Sequence, residues 1–106
     1  MEDNSPIKNY LINANRLIEN IGSRTTDRKI KSLIEAARKN IFNAGEDMND
    51  PSFLHKVKYA RDIVKNLMNM AEIKNDRGFM TWASLAISQL NACIHRYNEN
   101  KDDIAA

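Results

Sequence analysis

Apolar residues recur at spacings of three and four along most of this chain, the period of helices that bury one face. Ile7, Tyr10, Leu11, Ala14, Leu17, Ile18 and Ile21 form the first such stripe. Ser5 ahead of it reads as an N-cap, and Pro6 as a first helical residue whose missing N–H costs nothing. Gly22 behind it reads as a left-handed C-terminal cap. The pattern predicts a first helix over 6–21.

A second helix is predicted over 27–44, with Ile30, Leu33, Ile34, Ala37, Ile41 and Ala44 inside, Thr25, Thr26 or Asp27 as its cap, and Gly45 as its stop. The acidic turn 46–50 follows, and Asp50 before Pro51 repeats the cap-plus-proline signature for a third helix over 51–73. Its main seam is Phe53, Leu54, Val57, Ala60, Val64, Leu67, Met68 and Ala71. Tyr59, Ile63, Met70 and Ile73 widen that seam into more than one apolar face. After a break at 74–78, with Asp76 as a cap, a fourth helix is predicted over about 79–98, followed by a frayed acidic C-terminal tail. Helices of this length on short links fold back on their neighbours. The expected fold class is all-α, an antiparallel up-down-up-down four-helix bundle in one domain over 1–106.

Composition agrees with that pattern. In 106 residues there are three glycines and two prolines, and the 42% hydrophobic content suffices for a core without disulfides or metal. The single Cys93 has no intramolecular disulfide partner and sits on an apolar helix face, which fits a reducing compartment. The N-terminus is polar and acidic, without the apolar run of a secretory signal. The expected location is the cytoplasm, with no membrane partner, and abundant Asn, Ile and Lys point to an AT-rich bacterial or phage genome.

Charge changes the picture in two places. Although 28% of the chain is charged, the eighteen residues from Gly78 to His95 carry no formal charge. Protein interfaces are depleted in Lys, Glu and Asp and enriched in Trp, Tyr, Phe and Met. Met80, Trp82, Ser84, Ser88, Asn91 and His95 are therefore the candidate protein-interface residues. The second place is the basic middle of the chain. Residues 24–44 hold six basic side chains against two acids, and 52–66 hold four against one. Arg24, Arg28, Lys31, Arg38 and Lys39 on the second helix, with Lys58, Arg61 and Lys65 on one flank of the third, are candidates for anion or nucleic-acid contact. The two rows can merge if those helices are antiparallel neighbours.

Candidate chemistry is sparse. His55 and His95 are the only histidines, and neither stands in a metal-ligand spacing; no cofactor fingerprint and no nucleophile-and-base pattern is present. The run His55-Lys56-Val57-Lys58 resembles the His-x-Leu-Lys core of histidine phosphotransfer domains, small four-helix bundles with a phosphoacceptor histidine on an exposed helix face. The resemblance covers four residues and implies His55 as acceptor and Lys58 as charge stabiliser. Where that family continues with Gly and small residues, this chain has Tyr59 stacked beside His55. The reading from sequence is a non-enzymatic interaction or regulatory module without cofactor, self-associating as a homodimer or serving as a subunit of a larger complex through its fourth helix. Nucleic-acid binding through the basic rows is the alternative, and phosphotransfer at His55 the minor one.

Overall fold

The computed structural model describes residues 5–105, with side chains through Asn100. It is all-helical, without a strand among the described residues: α1 Ser5–Arg24, α2 Arg28–Glu46, α3 Phe53–Met68, α4 Ala71–Lys74 and α5 Arg77–Ala105. α1 packs most extensively on α5 and also on α2; α3 packs on α2 and α5, so the four longer helices form a closed ring of neighbours. At about 1.5 Å per residue, the 29 residues of α5 span nearly the whole 46 Å long axis.

The predicted stripes are the core. Ile7, Leu11, Ala14, Ile18 and Ile21 of α1 are buried, as are Ile30, Ile34, Ala37, Ile41 and Ala44 of α2. Phe53, Val57, Ala60, Ile63, Val64 and Leu67 of α3 meet Phe79, Ala83, Ala86, Leu90, Cys93 and Ile94 of α5 in the same cluster. Phe53, fully buried, stacks on Tyr97 with ring centroids 4.6 Å apart.

Several helix ends differ from the expected ones. Neither Gly22 nor Gly45 is a left-handed cap: no described glycine has positive φ, and α1 and α2 run past them to Arg24 and Glu46. Ser5 lies inside α1 rather than ahead of it. Side-chain hydrogen bonds set the boundary between α1 and α2, since Asp27 Oδ1 accepts from the backbone N–H of Lys29 and Ile30 at 2.9 and 3.0 Å. Asp50 makes a turn instead of a cap, accepting from Ser52 N–H at 2.7 Å and Ser52 Oγ at 2.6 Å, and α3 starts only at Phe53.

The third predicted helix is two. The Asn69 N–H donates to the Asn66 carbonyl at 3.1 Å and the Met70 N–H to the Leu67 carbonyl at 3.0 Å, and Met70 adopts an extended conformation before α4 begins. Asn69 supplies local competition at the break, its Nδ2 donating to the Lys65 carbonyl at 3.4 Å. Ile73 on α4 stays fully buried, so the apolar rhythm continues through the break and conceals it. The fourth predicted helix is α5. Asp76 Oδ1 accepts from Phe79 N–H at 3.2 Å, as expected of a cap, and the helix continues through Ala105 where a frayed tail was expected.

One polar link ties distant parts together. Thr25, the only buried polar residue among those described, donates its hydroxyl to Glu72 Oε1 at 2.8 Å and accepts from Asp27 N–H at 3.2 Å. The link between α1 and α2 is thereby pinned to α4.

Candidate interaction surfaces

α5 lies between α1 and α3, and its uncharged residues divide among three directions. Trp82 faces α1: the Arg24 guanidinium sits 5.0 Å over its ring, and Phe79 packs at 6.1 Å. Asn91 faces α3, where its Oδ1 accepts from Arg61 Nη1 at 3.4 Å. Trp82 and Met80 are half-buried by their own chain. Ser84, Ser88 and His95 point outward and are exposed, with Leu85 beside them at 47% exposure. His95 Nε2 meets Glu99 Oε1 one turn on, at 2.8 Å. The six interface candidates therefore do not share one face; Ser84, Ser88 and His95 form the outward strip, with Asn91 on its α3 edge.

The basic residues separate too. Although α2 and α3 are neighbours, Arg38 reaches toward α1, donating from Nε to Asn15 Oδ1 at 3.1 Å and lying 3.5 Å from Glu19. Lys31, seven residues before it, shares that flank, while Arg28 and Lys39 are exposed farther round α2. Arg61 reaches the other way, toward Asn91 of α5, and Lys58 and Lys65 are exposed on the same flank of α3. Arg24 ends α1 and covers Trp82. The two rows line opposite outer flanks and do not merge across the α2/α3 seam. The α3 row instead stands beside the outward strip of α5.

A third surface carries the larger exposed apolar side chains and was not singled out by the seams. Ile12 of α1 and Phe42 of α2 are 50% and 62% exposed, and both border a groove of about 260 Å³ whose other walls include Leu11, Ile41 and Gly45. Lys8 and Glu46 stand on its rim. The available signal was negative: Phe42 lies one step off the Ile34/Ile41 seam, and an aromatic ring off the seam of an otherwise charged helix is unburied by that helix's own packing.

Reactive groups are few. His55 is exposed near the start of α3, and Tyr59, 50% exposed, follows one turn later. Burial pushes the Cys93 thiol up to about 12, so it stays protonated at neutral pH. The Ser52 side-chain and backbone hydrogen bonds hold the Asp50 carboxyl below its ordinary value. Among the described residues, no group of three or more His, Cys, Asp or Glu is placed to hold a metal ion, and no helix is long and apolar enough to cross a membrane. No protein-family model, curated protein or solved structure matches the chain.

Proposed function

We propose that this chain is a non-enzymatic interaction module of the cytoplasm, an antiparallel up-down-up-down four-helix bundle with α4 as an insert before its last helix, that assembles with other protein chains, copies of itself included. One observation carries the reading. The strip Ser84, Leu85, Ser88 of α5 remains exposed and uncharged after α1 and α3 have packed both of its flanks. A helix face turned only to water is ordinarily charged, whereas a face that meets protein sheds Lys, Glu and Asp. The exposed Ile12 and Phe42 add a second surface suited to protein contact.

Light scattering coupled to size-exclusion chromatography, at low and moderate salt, tests it. The expected result is a mass above that of one 12.2 kDa chain that persists as salt rises. A monomer at every salt and concentration that shifts only with an added oligonucleotide overturns it.

The second reading, contact with a nucleic-acid backbone, is favoured by the row Lys58, Arg61 and Lys65 beside the neutral strip of α5. In that case Lys58→Glu with Lys65→Glu, both at exposed positions, abolishes an oligonucleotide shift that already weakens steeply with salt.

A further inference from the structure

The groove between α1 and α2 is the place where apolar exposure, space and charge coincide. α1 and α2 run antiparallel in register, with Asn15 opposite Arg38 and Leu11 beside Gly45. The same register sets Ile12 across from Phe42 and Lys8 across from Glu46, at one end of the pair. Gly45 leaves the floor open: a Cβ there would find only Leu11 Cδ1, at 3.9 Å. Its φ is not positive, so the fold has no conformational need of glycine at that position. An apolar cavity of roughly 150 Å³ accepts a benzene ring, and this groove offers about 260 Å³.

The charges on the rim say what fits. Lys8 and Glu46 cancel on this rim, while Glu35, Arg38 and Lys39 flank Phe42 on its other side, with Arg38 facing Glu19. Each also opposes its own helix dipole, Lys8 in the first turn of α1 and Glu46 as the last residue of α2. Neither takes part in an ion pair among the described residues. An opposite charge brought by a partner would relieve both, and this surface itself presents that arrangement.

We propose that the α1/α2 groove seats a second copy of this chain about a two-fold axis parallel to the two helices. Each α1 then lies antiparallel on the partner's α2. Such a contact is isologous, so every pairing occurs twice: Ile12 on Phe42 of the second copy, and Lys8 against Glu46 of the second copy. The Phe42 ring enters the space over Gly45. The dimer leaves the outward strip of α5 uncovered for a further chain. This inference rests on the self-association reading above and adds the face and the symmetry.

Sedimentation or light scattering over a dilution series, with circular dichroism as the folding control, tests it on the full chain. The expected result is a dimer that Phe42→Asp converts to monomer with unchanged helicity; Ile12→Asp repeats the test at the other exposed position. Lys8→Glu and Glu46→Lys each turn two attractions into two repulsions and raise the dissociation constant about tenfold. Lys8→Glu combined with Glu46→Lys restores both pairs and returns the constant to near its original value. A double variant no tighter than the weaker single one overturns the two-fold pairing. A dimer indifferent to Phe42→Asp and Ile12→Asp but dissociated by Leu85→Asp with Ser88→Asp overturns this face and leaves the interaction-module reading standing. A wild-type chain monomeric at every concentration removes both.

Discussion

The α1/α2 face and the outward strip of α5 expose themselves in opposite ways. The first presents large apolar side chains, Ile12 and Phe42, among charges of both signs; the second presents small polar side chains and Leu85 with no charge between Gly78 and the end of that strip. Low charge and apolar exposure are thus separate properties. α5 lacks charge partly because α1 and α3 take up two of its flanks, so much of its uncharged surface, Trp82 included, is used inside the chain. Phe42 has no such use, and it belongs to one of the more charged helices of the molecule.

The sharpest way to probe that difference is to compare two phenylalanines. Phe53→Ala removes a fully buried ring and its stacking on Tyr97, and should cost about 3–5 kcal/mol in denaturant unfolding. Phe42→Ala, in the monomer, should cost no more than about 0.5 kcal/mol because its ring is mostly in water already. A large monomer cost at Phe42 would mean that the face supports the fold rather than a contact.

Thr25→Val comes next. It keeps the buried shape but removes the hydroxyl shared by Glu72 and Asp27 N–H, for an expected loss of about 1–2 kcal/mol by thermal unfolding. The two glycines of the α1/α2 pair should then diverge. Gly45→Ala gains the helix propensity of alanine, about 0.5–1 kcal/mol, with an ordinary 3.9 Å contact to Leu11, while narrowing the groove and weakening the dimer. At Gly22 the new Cβ would lie 3.2 Å from Ile34 Cγ2, and Ile34 is buried, so the same gain is offset and the melting temperature should not rise. Stability and assembly moving in opposite directions at Gly45 is the signature that separates a groove kept open for a partner from a packing accident.

The remaining effects are chemical. With its thiol raised to about 12, Cys93 should react with a thiol reagent at neutral pH only as fast as the chain opens, and Leu67→Ala should accelerate the labelling. The unfolded chain ionises this thiol near 9.0 and the folded chain does not, so stability should fall as pH rises from about 9 toward about 12. Asp50 has the opposite sign. Its lowered pKa means that its contribution is present above the ordinary carboxylate range and is lost as pH falls through it. Urea titrations at acid and alkaline pH read both.

Much of the fold was legible because burial repeats with the helical period. The stripe from Ile7 to Ile21 and the seam from Ile30 to Ala44 are buried where their spacing places them. Breaks were less legible, since Met70 and Ile73 keep the apolar rhythm across a segment where the backbone turns at Asn69 and Met70. Glycine misled for a related reason: at Gly22 its value is a missing Cβ against Ile34, which sequence does not distinguish from a left-handed turn. Surfaces were harder still. Periodicity places Lys31, Arg38, Lys58 and Lys65 on their own helices, but the direction of each row depends on which neighbour stands on which side, and only packing decides that.

The ring of neighbours has a consequence for how the molecule is made. α1 has its most extensive packing against α5, which is synthesised last. Between the appearance of Arg24 and that of Arg77 the ribosome adds 53 residues, a delay of roughly 3–10 s at ordinary elongation rates. During that interval α1 has α2 to pack on but not α5, so Leu17, which borders Leu85 and Gln89 of α5, stays uncovered on that side. The face of α1 that meets α5 is therefore the last of its faces to be covered, and a slow codon within that stretch would prolong its exposure.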